Sequence, residues 1–470
     1  LLLCHVNSTT AMWTAQRMHQ VVGRRWMSST PGKYRILTYN AISPVGLQRF
    51  PREQYDVSPE QEDAHAILLR SHKLQLTNVP FTCRAVARCG AGTNNCNVEE
   101  MTRLGIPVFN TPGANANSVK ELVLCGLFLA SRGIISGCNH MKTLHADGTA
   151  VERVEKDKKM FGGREIAGKT LGVIGLGAIG AAVTDAALAL GMNVKGYDPS
   201  LSVDAALRLP GKAMQKVDDL GALVSESDYI SIHAPYLKDV THHLIDASMI
   251  ARMQPDASIL NFARGELVDA SALRAHLDAG HWRGSYVCDF PVEEMWDTPN
   301  SIIIPHLGAS TNEAEDNSAS MAADTIRSYL ETGEIVNSVN FPTTKLPLRS
   351  LDTVRINIVN ENKPGVLAAI MNVFGDAGVN IQQQLNTSRG DIAYNVIDVE
   401  KPTASDDPSS FTYKSWNELQ RAITALEGIK STRLLDNRPG TGYAIQYDGK
   451  VYGIDYAYPE NKTWSDIKAP

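Results

Sequence analysis

A chain of 470 residues is too long for one hydrophobic core, and its 43% hydrophobic and 20% charged residues are those of a folded multidomain protein. The formal charge of -6, with no basic patch interleaved with aromatics, argues against a nucleic-acid surface, and no apolar run is long enough to span a bilayer. Seven cysteines with neither a CxxC pair nor metal-ligand spacing to histidine read as reduced thiols, so no metal is expected.

The N-terminus has its own composition. No Asp or Glu precedes Glu53, while Arg17, Arg24 and Arg25 stand among Ser, Thr and Gln. On a helix, Ala11, Ala15, Met18 and Val22 share one face and Gln16, Gln20 and Arg24 the opposite one. Residues 1–31 are therefore expected to be a transit peptide addressing mitochondria or plastids, with a cytoplasmic protein as the alternative.

From Tyr34 onward, strand-like and helix-like segments alternate, the pattern of α/β layers around a parallel sheet. Lys33–Thr38 and Ala66–Ser71 read as strands. Ala85–Asn95 reads as a strand feeding the glycine loop Gly90-Ala91-Gly92. The carboxyl ends of such strands are where open α/β sheets bind ligands.

A second unit begins near Lys169. An apolar strand, Thr170–Ile174, enters Gly175-Leu176-Gly177-Ala178-Ile179-Gly180 and an Ala-rich helix; a further strand, Met192–Tyr197, delivers Asp198. Gly175 suits the tight turn, Gly177 a backbone approach to a pyrophosphate, and Gly180 close helix–strand packing. The pyrophosphate would sit on the free N–H groups of the helix N-terminus. Asp198 would accept from a ribose 2′-hydroxyl and repel a 2′-phosphate, so the expected cofactor is NAD.

A composition shift near residues 340–347 marks a linker, and residues 352–436 read β-α-β-β-α-β. In the extension 437–470, Tyr443–Tyr456 alternates around Asp448-Gly449 as a small hairpin.

Several separate segments now point one way: Arg88–Asn95, Asn110–Asn115, Gly175–Gly180, Asn261–Gly265, Ile304–Ser310 and Val339–Pro342. Over about Lys33–Asp436 the chain resembles the D-2-hydroxyacid dehydrogenases, within them the short phosphoglycerate-oxidising branch with a C-terminal ACT domain. The resemblance implies an α/β fold: a discontinuous flavodoxin-like substrate domain (32–130 and 312–345), a doubly wound NAD-binding domain (131–311) and an α+β ACT domain (352–436). It implies NAD-dependent oxidation of 3-phospho-D-glycerate to 3-phosphohydroxypyruvate, the first step of the phosphorylated route to L-serine, in a homodimer or homotetramer. Two other readings are a dehydrogenase for another small D-2-hydroxy acid and a non-enzymatic NAD-sensing scaffold.

The same resemblance distributes the chemistry. Removing the proton of a C2 hydroxyl needs a base with a pKa near working pH, and His306, at the end of Ile302-Ile303-Ile304, suits that role. Arg264 would hold the substrate carboxylate through two donors. Glu293 would orient the histidine; its spacing from Arg264 matches the family interval, though Glu294 stands beside it. Ala178, Ile179, Ala234, Phe262, Ala263 and Gly308 are placed against the cofactor. Many relatives have an Asp two residues before Phe, where this chain has Cys288-Asp289-Phe290, so either Asp289 or Cys288 takes that cofactor-contacting position.

Arg70, Ser71 and Lys73, with His72 where relatives often carry arginine, form a basic loop suited to a phosphate. Backbone N–H groups around Ala91 and Gly92 could hold a carboxylate. In the ACT segment, Asn360, Asn362 and Asn380 match residues that hold L-serine in inhibited bacterial relatives, with Asn360 replacing a histidine. A purely structural dimerisation module is the alternative.

Overall fold

Strand β1 (Tyr34–Tyr39) opens the computed structural model, which describes residues 32–207, 209–347, 349–350, 352–401, 416–435, 442–447 and 449–453. The expected leader lies outside the described residues, as does the end of the C-terminal extension. β2 (Tyr55–Ser58), β3 (Ala66–Leu69), β4 (Ala85–Arg88) and β5 (Val108–Phe109) join β1 in a wholly parallel sheet of order β2-β1-β3-β4-β5. That order is the flavodoxin-like one. The run Ala66-Ile67-Leu68-Leu69 is buried at every position, because a central parallel strand is covered on both faces.

Thr111–Ser318 forms a compact unit of its own. It contains α1 (Ala116–Ser131), β6 (Thr170–Ile174), α2 (Ala178–Ala189), β7 (Asn193–Tyr197), β8 (Met214–Lys216), β9 (Tyr229–Ile232), β10 (Ser258–Asn261), β11 (Tyr286–Cys288) and β12 (Ser301–Ile303). All seven strands are parallel, in the order β12-β11-β10-β9-β6-β7-β8. The winding reverses between β6 and β9, the switch point at which doubly wound sheets bind dinucleotides.

Helix α3 (Asn312–Thr332) starts in that unit and ends in the other, which takes up the chain again at Ala319. Then follow β13 (Thr353–Glu361), α4 (Val366–Asp376), β14 (Ile381–Arg389), β15 (Ile392–Glu400), α5 (Trp416–Thr424) and β16 (Ile429–Leu435), in the βαββαβ succession expected. The hairpin β17 (Tyr443–Tyr447) and β18 (Lys450–Gly453) is also present and widens the antiparallel sheet to β14-β15-β13-β16-β17-β18. One face of the sheet packs on α4 and α5 through Ile356, Ile370, Phe374, Ile397 and Leu419. Tyr394 and Val396 share a core with Tyr34, Ile326 and Phe341. Around the end of α3, Arg433 donates to the Tyr329 carbonyl at 2.7 Å, Arg355 to Thr332 at 3.0 Å and the Tyr394 hydroxyl to Gly333 at 2.7 Å. Carbonyls around this helix end thus accept from side chains elsewhere in the unit, two of them cationic.

Candidate active site

The glycine turn sits at the switch point. Gly175, at φ +89°, donates to the Tyr197 carbonyl at 2.8 Å, and a Cβ there would stand 2.8 Å from the Ala234 nitrogen. Gly180 is forced by packing: its Cβ would lie 1.9 Å from the Gly175 oxygen. Gly177, the N-cap residue of α2, is different. A Cβ there meets no protein atom within 4 Å, so the room it leaves faces outside the chain, as a bound pyrophosphate requires. Ala178 and Ile179 open the helix that follows. Asp198 is already oriented: one oxygen accepts from the Leu176 N–H and the other from Ser200, each at 2.9 Å. Each oxygen keeps capacity for a further donor such as a ribose hydroxyl. These residues fit NAD.

Three adjacent strands supply the rest. Arg264 follows β10, Phe290 follows β11 and His306 follows β12, all at carboxyl strand ends. The Arg264 guanidinium lies 5.8 Å from the Phe290 ring centre, and the His306 ring 4.8 Å from it. Phe290 thus brings the two together. Arg264 is exposed, with one donor on the Ala263 carbonyl at 2.6 Å. The buried Asn261 side chain fixes this turn by donating to the Arg264 carbonyl at 2.8 Å and accepting from Ala263 at 3.2 Å. Glu293 and Glu294 lie in a short exposed turn, and among the described residues neither carboxylate hydrogen-bonds His306.

In the flavodoxin-like sheet, the ends of β1, β3 and β4 gather a second set. Asn40, at φ +68°, accepts from the Ser71 and His72 N–H groups at 3.0 and 2.8 Å. Asn95 donates to the Arg70 and His72 carbonyls at 3.1 and 2.7 Å, and Arg88 Nε to Arg70 at 3.1 Å. The His72 ring lies flat on Tyr39, 4.1 Å between centres, while Lys73 is exposed. The Ala91 carbonyl accepts from Asn110 at 2.6 Å, and Gly92 continues the loop.

Comparison with known proteins identifies the family. Residues 133–308 match the model of the D-isomer specific 2-hydroxyacid dehydrogenase NAD-binding domain. The D-3-phosphoglycerate dehydrogenase of Dictyostelium discoideum is 30% identical over 428 residues, 86% of this chain and 97% of its own. That of Escherichia coli K12 is 33% identical over 386 residues, 79% and 87% of the two chains. The chain belongs to the D-3-phosphoglycerate dehydrogenase family. Among solved structures, the NAD+-bound 3-phosphoglycerate dehydrogenase of Entamoeba histolytica superposes with a TM-score of 0.52 at 23% identity, over 66% of this chain and 99% of that one. At that identity it supports the fold alone.

Within this D-3-phosphoglycerate dehydrogenase fold, three of the expected contact positions carry buried side chains. Phe262 is 6% exposed and its ring belongs to the core beneath α1, so only its backbone can face a cofactor. Asp289 is turned inward: its two oxygens accept from Leu307 and Gly308, both at 2.7 Å. Cys288, the alternative, is fully buried, and burial pushes its thiol up to about 11. Asn360 is 3% exposed; its amide donates to the Glu361 carbonyl and accepts from Asn395 at 2.7 Å, so the side chain is held inside the sheet. Asn362 and Asn380 are exposed, with Asn362 donating to the Gly390 carbonyl at 3.0 Å.

Sequence reasoning gave no role to Asn40, Asn95, Asn261 or Phe290. An asparagine directly after a strand is a signal for a left-handed turn, and Asn40 carried it. Asn95 and Phe290 act through partners far off in sequence, and Asn261 through the turn beside it at Ala263 and Arg264.

Proposed function

We propose that this chain oxidises the C2 hydroxyl of 3-phosphoglycerate to the ketone of 3-phosphohydroxypyruvate. One observation carries the reading: neighbouring strand ends of a single sheet present Arg264, Phe290 and His306, with the Gly175–Gly180 turn on the same sheet. Arg264 offers the substrate carboxylate two parallel N–H donors, a contact that orients C2. His306 takes the hydroxyl proton as the C2–H bond breaks. Bound NAD supplies the hydride acceptor. Gly177 and the first residues of α2 would hold its pyrophosphate and Asp198 its ribose. Arg70 and Lys73 would receive the phosphate of the substrate.

The test is NADH formation with 3-phosphoglycerate against glycerate and lactate. A kcat/KM for the phosphorylated acid at least tenfold higher supports the reading; equal efficiencies overturn the phosphate assignment.

The same reading extends to control, assembly and address. L-serine is the proposed effector, held by Asn362 and Asn380 in a homodimer or homotetramer. Calorimetry of wild type and Asn362→Ala tests this, and absence of heat at millimolar serine removes it. Residues 1–31 are proposed as an import leader; residues 1–27 fused to a fluorescent protein should reach mitochondria or plastids, and a diffuse cytosolic signal would exclude it.

A further inference from the structure

His306 holds a backbone conformation that side chains other than glycine rarely adopt, φ +55°. Such conformations persist only where the surroundings impose them. Asp289, one residue past β11, supplies the restraint. One of its oxygens accepts from the Leu307 N–H and the other from Gly308, each at 2.7 Å. The residue is 1% exposed, and a Cβ on Gly308 would stand 3.0 Å from its Oδ2. From the other side, the buried Ser118 hydroxyl on α1 donates to the Gly308 carbonyl at 2.8 Å. The Asp289 N–H in turn donates to the Asn261 carbonyl at 3.1 Å, and the Asn261 side chain holds the Arg264 carbonyl.

A single hydrogen-bonded line therefore runs from the Arg264 turn through Asn261 and Asp289 to the His306 loop. We propose that Asp289 is a positioning residue, whose carboxylate holds the His306 loop in its left-handed form and in register with Arg264. It rests on the reading of Arg264 and His306 as the reacting pair. A carboxylate suits the task because both oxygens must accept. Asparagine offers one acceptor and, in the other place, an NH2 group aimed at a backbone N–H. Burial works against the carboxylate charge, and the two amide bonds and His306 work for it.

The test uses the full chain with Asp289→Asn, and Ser118→Ala as a milder second variant. In Asp289→Asn, kcat with 3-phosphoglycerate should fall about tenfold or more, the scale of one buried acceptor lost. The KM for 3-phosphoglycerate and the Kd for NADH should stay within about twofold, because neither ligand touches the carboxylate. Ser118→Ala should lower kcat by a smaller factor with the same two constants unchanged. A kcat within twofold of wild type in Asp289→Asn overturns the proposal. So does an NADH Kd that rises in step with the loss of kcat, which would make Asp289 a cofactor contact. If Asp289→Asn shows no cooperative thermal transition, an unchanged kcat in Ser118→Ala overturns it instead. An inactive wild type would overturn the reaction reading itself.

Discussion

Asn40 accepts two backbone N–H groups from the Arg70 loop, and Asn95 donates to two of its carbonyls, so one amide on each side fixes a four-residue turn. Asn40→Gly isolates the acceptor, since glycine adopts φ +68° without strain. The variant should raise the KM for 3-phosphoglycerate roughly fivefold to tenfold, about one neutral hydrogen bond or slightly more, and leave NADH binding alone. An unchanged KM would separate the loop from substrate binding. Arg264→Lys should be severe in kcat/KM, because an ammonium cannot make the planar two-point contact. At this scale the sequence was informative where chemistry is local: Gly175, Gly177, Gly180 and Asp198 are legible from spacing alone. Asp289, Asn360 and Phe262 were not, because their partners at 307–308, at 395 and in the core beneath α1 come from chain far away in sequence.

The turn between β6 and α2 separates two glycines that look equivalent in the sequence. Gly180→Ala would push a methyl into the Gly175 carbonyl, so the turn must move; overpacking of this kind costs about 1–3 kcal/mol. Gly177→Ala meets no protein atom and should leave the unfolding midpoint within a degree or two, while NAD affinity falls at least tenfold. Differential scanning fluorimetry with and without NAD checks both, and an unimpaired NAD shift in Gly177→Ala would contradict the pyrophosphate assignment. Strands with runs of apolar residues, β1, β3, β4, β6 and β7, were visible in the sequence. The sheet order was not, since pairing between β6 and β9 joins segments more than fifty residues apart. Nor did the hairpin pattern at 443–456 reveal that β17 extends a sheet and carries Tyr443, whose hydroxyl donates to the Cys83 carbonyl.

Across the larger of the two units, the C-terminal sheet and the flavodoxin-like sheet meet in one hydrophobic core, with buried charges placed at the junction. Arg355 and Asp398 form a two-point ion pair, both bonds at 2.7 Å, with side chains 2% and 6% exposed. Asp398→Asn should cost about 3–5 kcal/mol by leaving the arginine buried without its counter-charge. Denaturant unfolding would show it, and a change below about 1 kcal/mol would count against a structural role. His65 is 1% exposed; burial, then Arg84, Arg35 and Arg433, keep its ring neutral well below the usual histidine range. Unfolded, the ring takes a proton below about pH 6.5, so the native state loses stability as pH falls through that value. His65→Gln should flatten the fall in unfolding midpoint between pH 7 and 5, and an equal fall in both proteins would contradict this. The βαββαβ order was readable from periodicity; its fusion with the first sheet was not, because single-segment patterns do not show which face meets which.

The most direct measurement compares wild type with His306→Ala, following NADH formation from 3-phosphoglycerate and NADH binding by fluorescence in the same preparations. The wild type should turn over 3-phosphoglycerate, and the variant should be slower by about a hundredfold or more, the scale of a lost general base, with an unchanged Kd for NADH. A wild type that forms no NADH, or a variant within twofold of it, would contradict the account.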